Sequence, residues 1–157
     1  MVTWGNGRTN RDGLHAQSHV ARIRTRVGRA GTMHSVRIIA WTPACAIAIT
    51  IWLLSATPDL AITSGTLDTV LRKFAHVGVF AALTVACAWG FRAQRIGTHA
   101  TLIAAAGVAI AYAFVDEYHQ TFVPTRHGAV SDVAIDAIGI AVASIVLKMF
   151  YDRRGVA

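Results

Sequence analysis

Between positions 116 and 136 the chain gathers four carboxylates, two imidazoles, an amide and an arginine: Asp116, Glu117, His119, Gln120, Arg126, His127, Asp132 and Asp136. A smaller set, Arg72, Lys73 and His76, precedes them. Histidine titrates near neutrality, so beside a carboxylate it can serve as general base, general acid or nucleophile. His119, oriented by Glu117 or Asp116, is one candidate of this kind, and His76 is a second proton carrier. Arginine offers a planar fork suited to phosphate and lysine a point charge. Arg126 and Lys73, with Gln120 as a neutral donor, are therefore candidate ligands for an anionic group. Asp132 and Asp136 lie one helical turn apart, and with Glu117 or His119 they form a candidate site for a divalent metal ion. The plain alternative is a structural network, in which acids and bases pair and tie helices together because an unpaired buried charge is costly.

Spacing within helices sorts these residues onto faces. Asp116 and Gln120 are four apart and Asp116 and His119 three apart, with Tyr112 one turn below. Asp132 and Asp136 continue into Gly139 and Ala143, a stripe of small residues that lets a neighbouring helix come close. Lys73 and His76 are three apart, with Phe80 beneath them.

The elements that carry these faces are apolar blocks. Of 157 residues, 54% are hydrophobic and 15% charged, and the mean hydropathy is +0.48. Four blocks, Ile38–Ser55, Phe74–Phe91, Thr101–Phe122 and Val133–Tyr151, each run to about 18–22 residues, the length a helix needs to cross about 30 Å of hydrocarbon. They lack the regular polar face of a soluble bundle helix. The fold class expected is all-α: a polytopic membrane protein with four transmembrane helices. Pro43 falls near the start of the first, where a missing donor is best tolerated.

The formal charge of +7 does not point to nucleic acid, because the basic residues are placed like topology signals. Seven of the fifteen precede the first block, and most of the others flank later ones. The basic lead, the Arg92/Arg95 link and the Arg153/Arg154 end all fall on the cytoplasmic side if both termini are cytoplasmic. The start of the second helix, the end of the third and the start of the fourth then share the outer face, bringing Lys73, His76, Asp116, Glu117, His119, Gln120, Arg126, Asp132 and Asp136 to one membrane level. The organisation expected is a flexible basic tail over 1–35, a membrane domain over 36–151 and a short cytoplasmic tail over 152–157. Two alternatives remain at the N-terminus: cleavage as a signal peptide near Ser55–Thr57, and translation from Met33. Cys45 and Cys87 lie inside apolar blocks and read as small hydrophobes rather than a disulfide framework. Trp41, Trp52 and Trp89 lie near helix ends, as interfacial anchors do.

The run Asp116-Glu117-Tyr118-His119-Gln120-Thr121-Phe122-Val123-Pro124-Thr125-Arg126, followed by Asp132, Asp136 and Gly139, resembles the signature of VanZ-like membrane proteins. Arg72-Lys73-Phe74-Ala75-His76 resembles that family's earlier Lys-x-x-His element, and Ser55 to Pro58 its Ser-x-x-Pro. The resemblance covers about Ser55 to Gly139. Two positions depart: Phe80 stands where the family usually has Tyr, and Thr125 where it usually has Gly. Glycine supplies a positive φ there that threonine resists.

The resemblance implies a plasma-membrane protein of the cell envelope, the founding member being associated with resistance to the glycopeptide teicoplanin. The function expected is engagement of an anionic lipid or lipid-linked cell-wall-precursor head group in an outer-face polar pocket, with hydrolysis or transfer. The alternative is a non-catalytic accessory or binding protein whose polar residues form a structural network. A transporter is disfavoured, since the polar residues gather at one end with no ionisable path onward.

Overall fold

The computed structural model describes residues 35–58, 66–126 and 128–155. The tail expected over 1–35, apart from Ser35, lies outside them with His15, His19 and His34, as do 59–65 of the first link, His127 and the last two residues. Residues Arg37–Ala157 pack as one unit.

That unit is built of α1 (Thr42–Ser55), α2 (Thr66–Ala93), α3 (Thr98–Gln120) and α4 (Val130–Arg153), with no strand among the described residues. Among the described residues, four segments are long and apolar enough to cross a membrane, the first being Ser35–Ser55. Helical geometry in that segment breaks at Ala40 and Trp41, just before Pro43, whose ring and missing donor resist a continuous ladder. The second helix starts earlier than its apolar block suggests. Its 28 residues reach about 42 Å at 1.5 Å each, so its first turns extend past the hydrocarbon. Asp68 in the first turn suits the positive helix end and pairs with Arg72 one turn on. Charged residues there mask the start of a helix whose apolar block begins only at Phe74.

Small residues set the packing. Thr101, Ala105, Ala109 and Ala113, spaced by four on α3, are all fully buried, while Ile103 and Phe114 of the same helix are exposed. The apolar face turned outward is the face lipid would cover. At the most intimate crossing, α4 lies against α2 at Gly139: a Cβ there would sit 2.1 Å from the Val77 carbonyl oxygen. Only a glycine lets the backbones come this close. Trp41 is not a free anchor. Its ring covers Gly90 and meets Phe91 edge-on at 4.8 Å, whereas Trp89 is exposed. Both cysteines are unpaired.

Candidate functional site

The Gly139–Val77 contact has a consequence one turn away. His76 Nδ1 lies 3.0 Å from Asp136 Oδ1, joining α2 to α4 at the polar end of the bundle. Asp136 is 0% exposed, and its Oδ2 has no partner. With Asp136 ionised, the contact takes the Nδ1 proton of His76, and in the neutral ring Nε2 is then the acceptor.

The third wall is the end of α3. Glu117 is 5% exposed; its Oε2 accepts from the Ala129 backbone N–H at 2.8 Å, and its Oε1 from Gln120 Nε2 at 3.3 Å. Gln120 also donates to Asp116 Oδ2 at 3.0 Å. The loop before α4 therefore folds back onto α3, and Gly128 permits this, because a Cβ there would meet the Glu117 carbonyl oxygen at 2.0 Å. Asp116 is fully buried, lies beside Ser55 of α1, and its Oδ1 has no hydrogen-bond partner.

A cavity of about 300 Å³ opens between these walls, lined among others by Arg72, Lys73, His76, Glu117, Gln120, Arg126 and Asp132. Lys73 reaches Asp132 at 3.8 Å with both side chains substantially exposed, a contact worth at most about 1 kcal/mol. Arg126 sits in the loop and donates to two carbonyls: Nη2 to Leu54 O at 3.0 Å and to Thr57 O at 3.2 Å. Leu54 lies in the last turn of α1 and Thr57 two residues past its end, so the guanidinium ties the loop to the turn that follows α1. Burial, and then the neighbouring Arg72 charge, hold its guanidinium below the usual arginine value. A second cavity of about 270 Å³ adjoins the first and is walled by Ile51, Leu54, Ala75 and Val79. Arg72, His76 and Arg126 line both.

Of the residues expected from sequence, the fold brings Lys73, His76, Glu117, Gln120, Arg126 and Asp132 to one cavity, with Asp136 behind His76. His119 does not line it. Its ring stacks on Trp52 of α1, centroids 3.8 Å apart, and its Nε2 is buried without a partner. Asp116 faces the same way, toward Ser55. Asp132 pairs with Lys73 at the rim rather than joining Asp136; the three donors that do converge are His76, Glu117 and Asp136, their ligand atoms within 4.8 Å of one another. Sequence reasoning gave Ser55 and Trp52 no part in the site. The Ser-x-x-Pro resemblance marked Ser55, but only the packing of α1 on α3 shows what it lies beside.

The fold and this site define a multi-pass membrane protein of four helices with a polar cavity at one end. The sequence model of the VanZ/LLP1 family matches residues 16–151, and the chain belongs to that family. Neither a curated protein nor a solved structure gives a match.

Proposed function

We propose that the cavity binds the phosphorylated head group of a membrane lipid or lipid-linked wall precursor, while its hydrocarbon chain lies in the apolar cavity between α1 and α2. The observation that carries this reading is the sharing of Arg72, His76 and Arg126 by a polar and an apolar cavity, an arrangement matched to an amphiphile. Arg72 and Arg126 repel each other, and an anion between them relieves that repulsion. The distribution of basic residues supports a plasma-membrane location with both termini cytoplasmic and the site at the outer face.

The same cavity holds the groups that hydrolysis requires. His76, its Nδ1 proton held by Asp136, can take the proton from an attacking water at Nε2 as the water's oxygen bonds phosphorus and the phosphorus–oxygen bond to the lipid breaks, the departing lipid oxygen taking up a proton from water in the open cavity. Cations around the phosphoryl oxygens stabilise the developing charge. A second reading, a binding accessory without turnover, is favoured by Arg126, whose bonds to Leu54 and Thr57 are structural. Phosphate release distinguishes the two. The full chain, presented with phosphatidic acid or a polyprenyl diphosphate in mixed micelles, is expected to liberate phosphate, at least 100-fold more slowly in His76→Gln. Binding without release by the wild type supports the accessory and excludes the hydrolase.

A further inference from the structure

We propose that His76, Glu117 and Asp136 form a binding site for one divalent transition-metal ion, such as Zn²⁺ or Mn²⁺. The ligand atoms lie within 4.8 Å of one another, a cluster that a small inward shift closes to coordination distances of about 2.0–2.2 Å. Proximity of acids alone means little, and two further observations point to a cation. Asp136 is fully buried with Oδ2 unpartnered, and Asp116 beside it is fully buried with Oδ1 unpartnered. Three carboxylates, those of Asp116, Glu117 and Asp136, are thus sealed into the end of the bundle, and His76 is the imidazole bonded to one of them. Gln120 bridges Asp116 and Glu117 through one nitrogen but carries no charge. Uncompensated buried charge is expensive, and a divalent ion supplies the missing positive charge at the place where the open acceptor lies.

One imidazole nitrogen with carboxylate oxygens suits a transition ion better than Mg²⁺ or Ca²⁺, which favour all-oxygen shells. The Ala129 N–H on Glu117 Oε2 holds that ligand's orientation from behind. The ion takes the place of the His76 Nδ1 proton, so the proton-bearing and metal-bearing pairs are alternative states of one site. On the hydrolytic reading above, His76, Glu117 and Asp136 would hold the ion, and it would supply Lewis-acid activation of the attacking water. The site faces the polar cavity through His76 and Glu117, leaving coordination positions open to an oxygen of an incoming anion.

The test is metal binding by the full chain in detergent, stripped with chelator and free of phosphorylated lipid, so that it is independent of the head-group reading. Co²⁺ serves as the probe because its visible spectrum reports coordination. One Co²⁺ per chain is expected, displaced by Zn²⁺ and raising the thermal midpoint of the wild type. Affinity is expected to fall at least tenfold in Asp136→Asn and in Glu117→Gln, and to stay within about twofold in Asp132→Asn. If Asp136→Asn fails to fold, His76→Gln carries the same expectation. Absence of stoichiometric binding to the wild type at millimolar Co²⁺ overturns the proposal. So does unchanged affinity in both carboxylate variants.

Discussion

The His76 imidazole and the Asp136 carboxylate meet at 3.0 Å one turn from the point where Gly139 touches the Val77 carbonyl. The pair and the close helix crossing are one arrangement: the absence of a side chain at 139 brings α4 near enough for Asp136 to reach α2. Removing the imidazole alone leaves a carboxylate buried with nothing to balance it. His76→Leu is expected to lower stability by about 3–5 kcal/mol, and the double variant His76→Leu/Asp136→Leu to recover most of that loss. Thermal unfolding in detergent at fixed pH measures both; equal destabilisation of single and double variants contradicts the coupling.

Gly139→Ala asks α4 to move off a backbone atom, which no side-chain rotation can avoid. It is expected to cost about 1–3 kcal/mol and to separate His76 from Asp136. Gly107→Ala on α3, where a Cβ meets nothing within 4 Å, is expected to leave stability unchanged or raise it by up to about 1 kcal/mol. The difference between the two midpoints is the measurement.

Arg126 holds the end of α1 through two carbonyls, a use of the guanidinium fork that lysine cannot copy. Arg126→Lys keeps the charge and is expected to lower stability by about 1–2 kcal/mol. Faster hydrogen exchange at the C-terminal turn of α1, with α4 unchanged, marks the loss as local.

Thr125 adopts φ 66°, a left-handed conformation that costs a residue with a Cβ about 1–2 kcal/mol. The turn is kept although the threonine opposes it. Thr125→Gly is expected to stabilise by up to about 1 kcal/mol, because glycine's greater unfolded-state freedom offsets part of the relief. Thr125→Ala keeps the Cβ and is expected to gain nothing by this route. A thermal midpoint that rises for glycine alone bears out the strain.

Much of this was legible in the chain, and the exceptions have physical causes. Block length and hydropathy give four spanning helices, and the placement of polar residues at block ends puts Lys73, His76, Glu117 and Asp136 at one level. Helical spacing also puts Asp116 and His119 on one face. What spacing cannot give is the neighbour that face meets. Both turn toward α1, where Ser55 and Trp52 receive them, while Glu117 and Gln120 turn to the cavity. The Ser-x-x-Pro resemblance marks Ser55 at the end of the first helix but does not say what it faces. Asp132 and Asp136 likewise share a face, but the crossing at Gly139 buries one and leaves the other at the rim with Lys73. The start of α2 was hidden by Asp68, Arg72 and Lys73, whose charges delay the apolar block until after the helix has begun.

The most direct measurement is lipid selectivity of the full chain in nanodiscs, read by native mass spectrometry against a phosphatidylcholine background. If Arg72, Lys73 and Arg126 border a head-group site, the wild type is expected to retain phosphatidic acid or a polyprenyl diphosphate over phosphatidylcholine. That preference should fall at least tenfold, about 1.4 kcal/mol, in Arg72→Ala/Lys73→Ala with the fold intact. Equal retention of zwitterionic and phosphorylated lipids by the wild type, or a preference untouched by losing both cations, contradicts it.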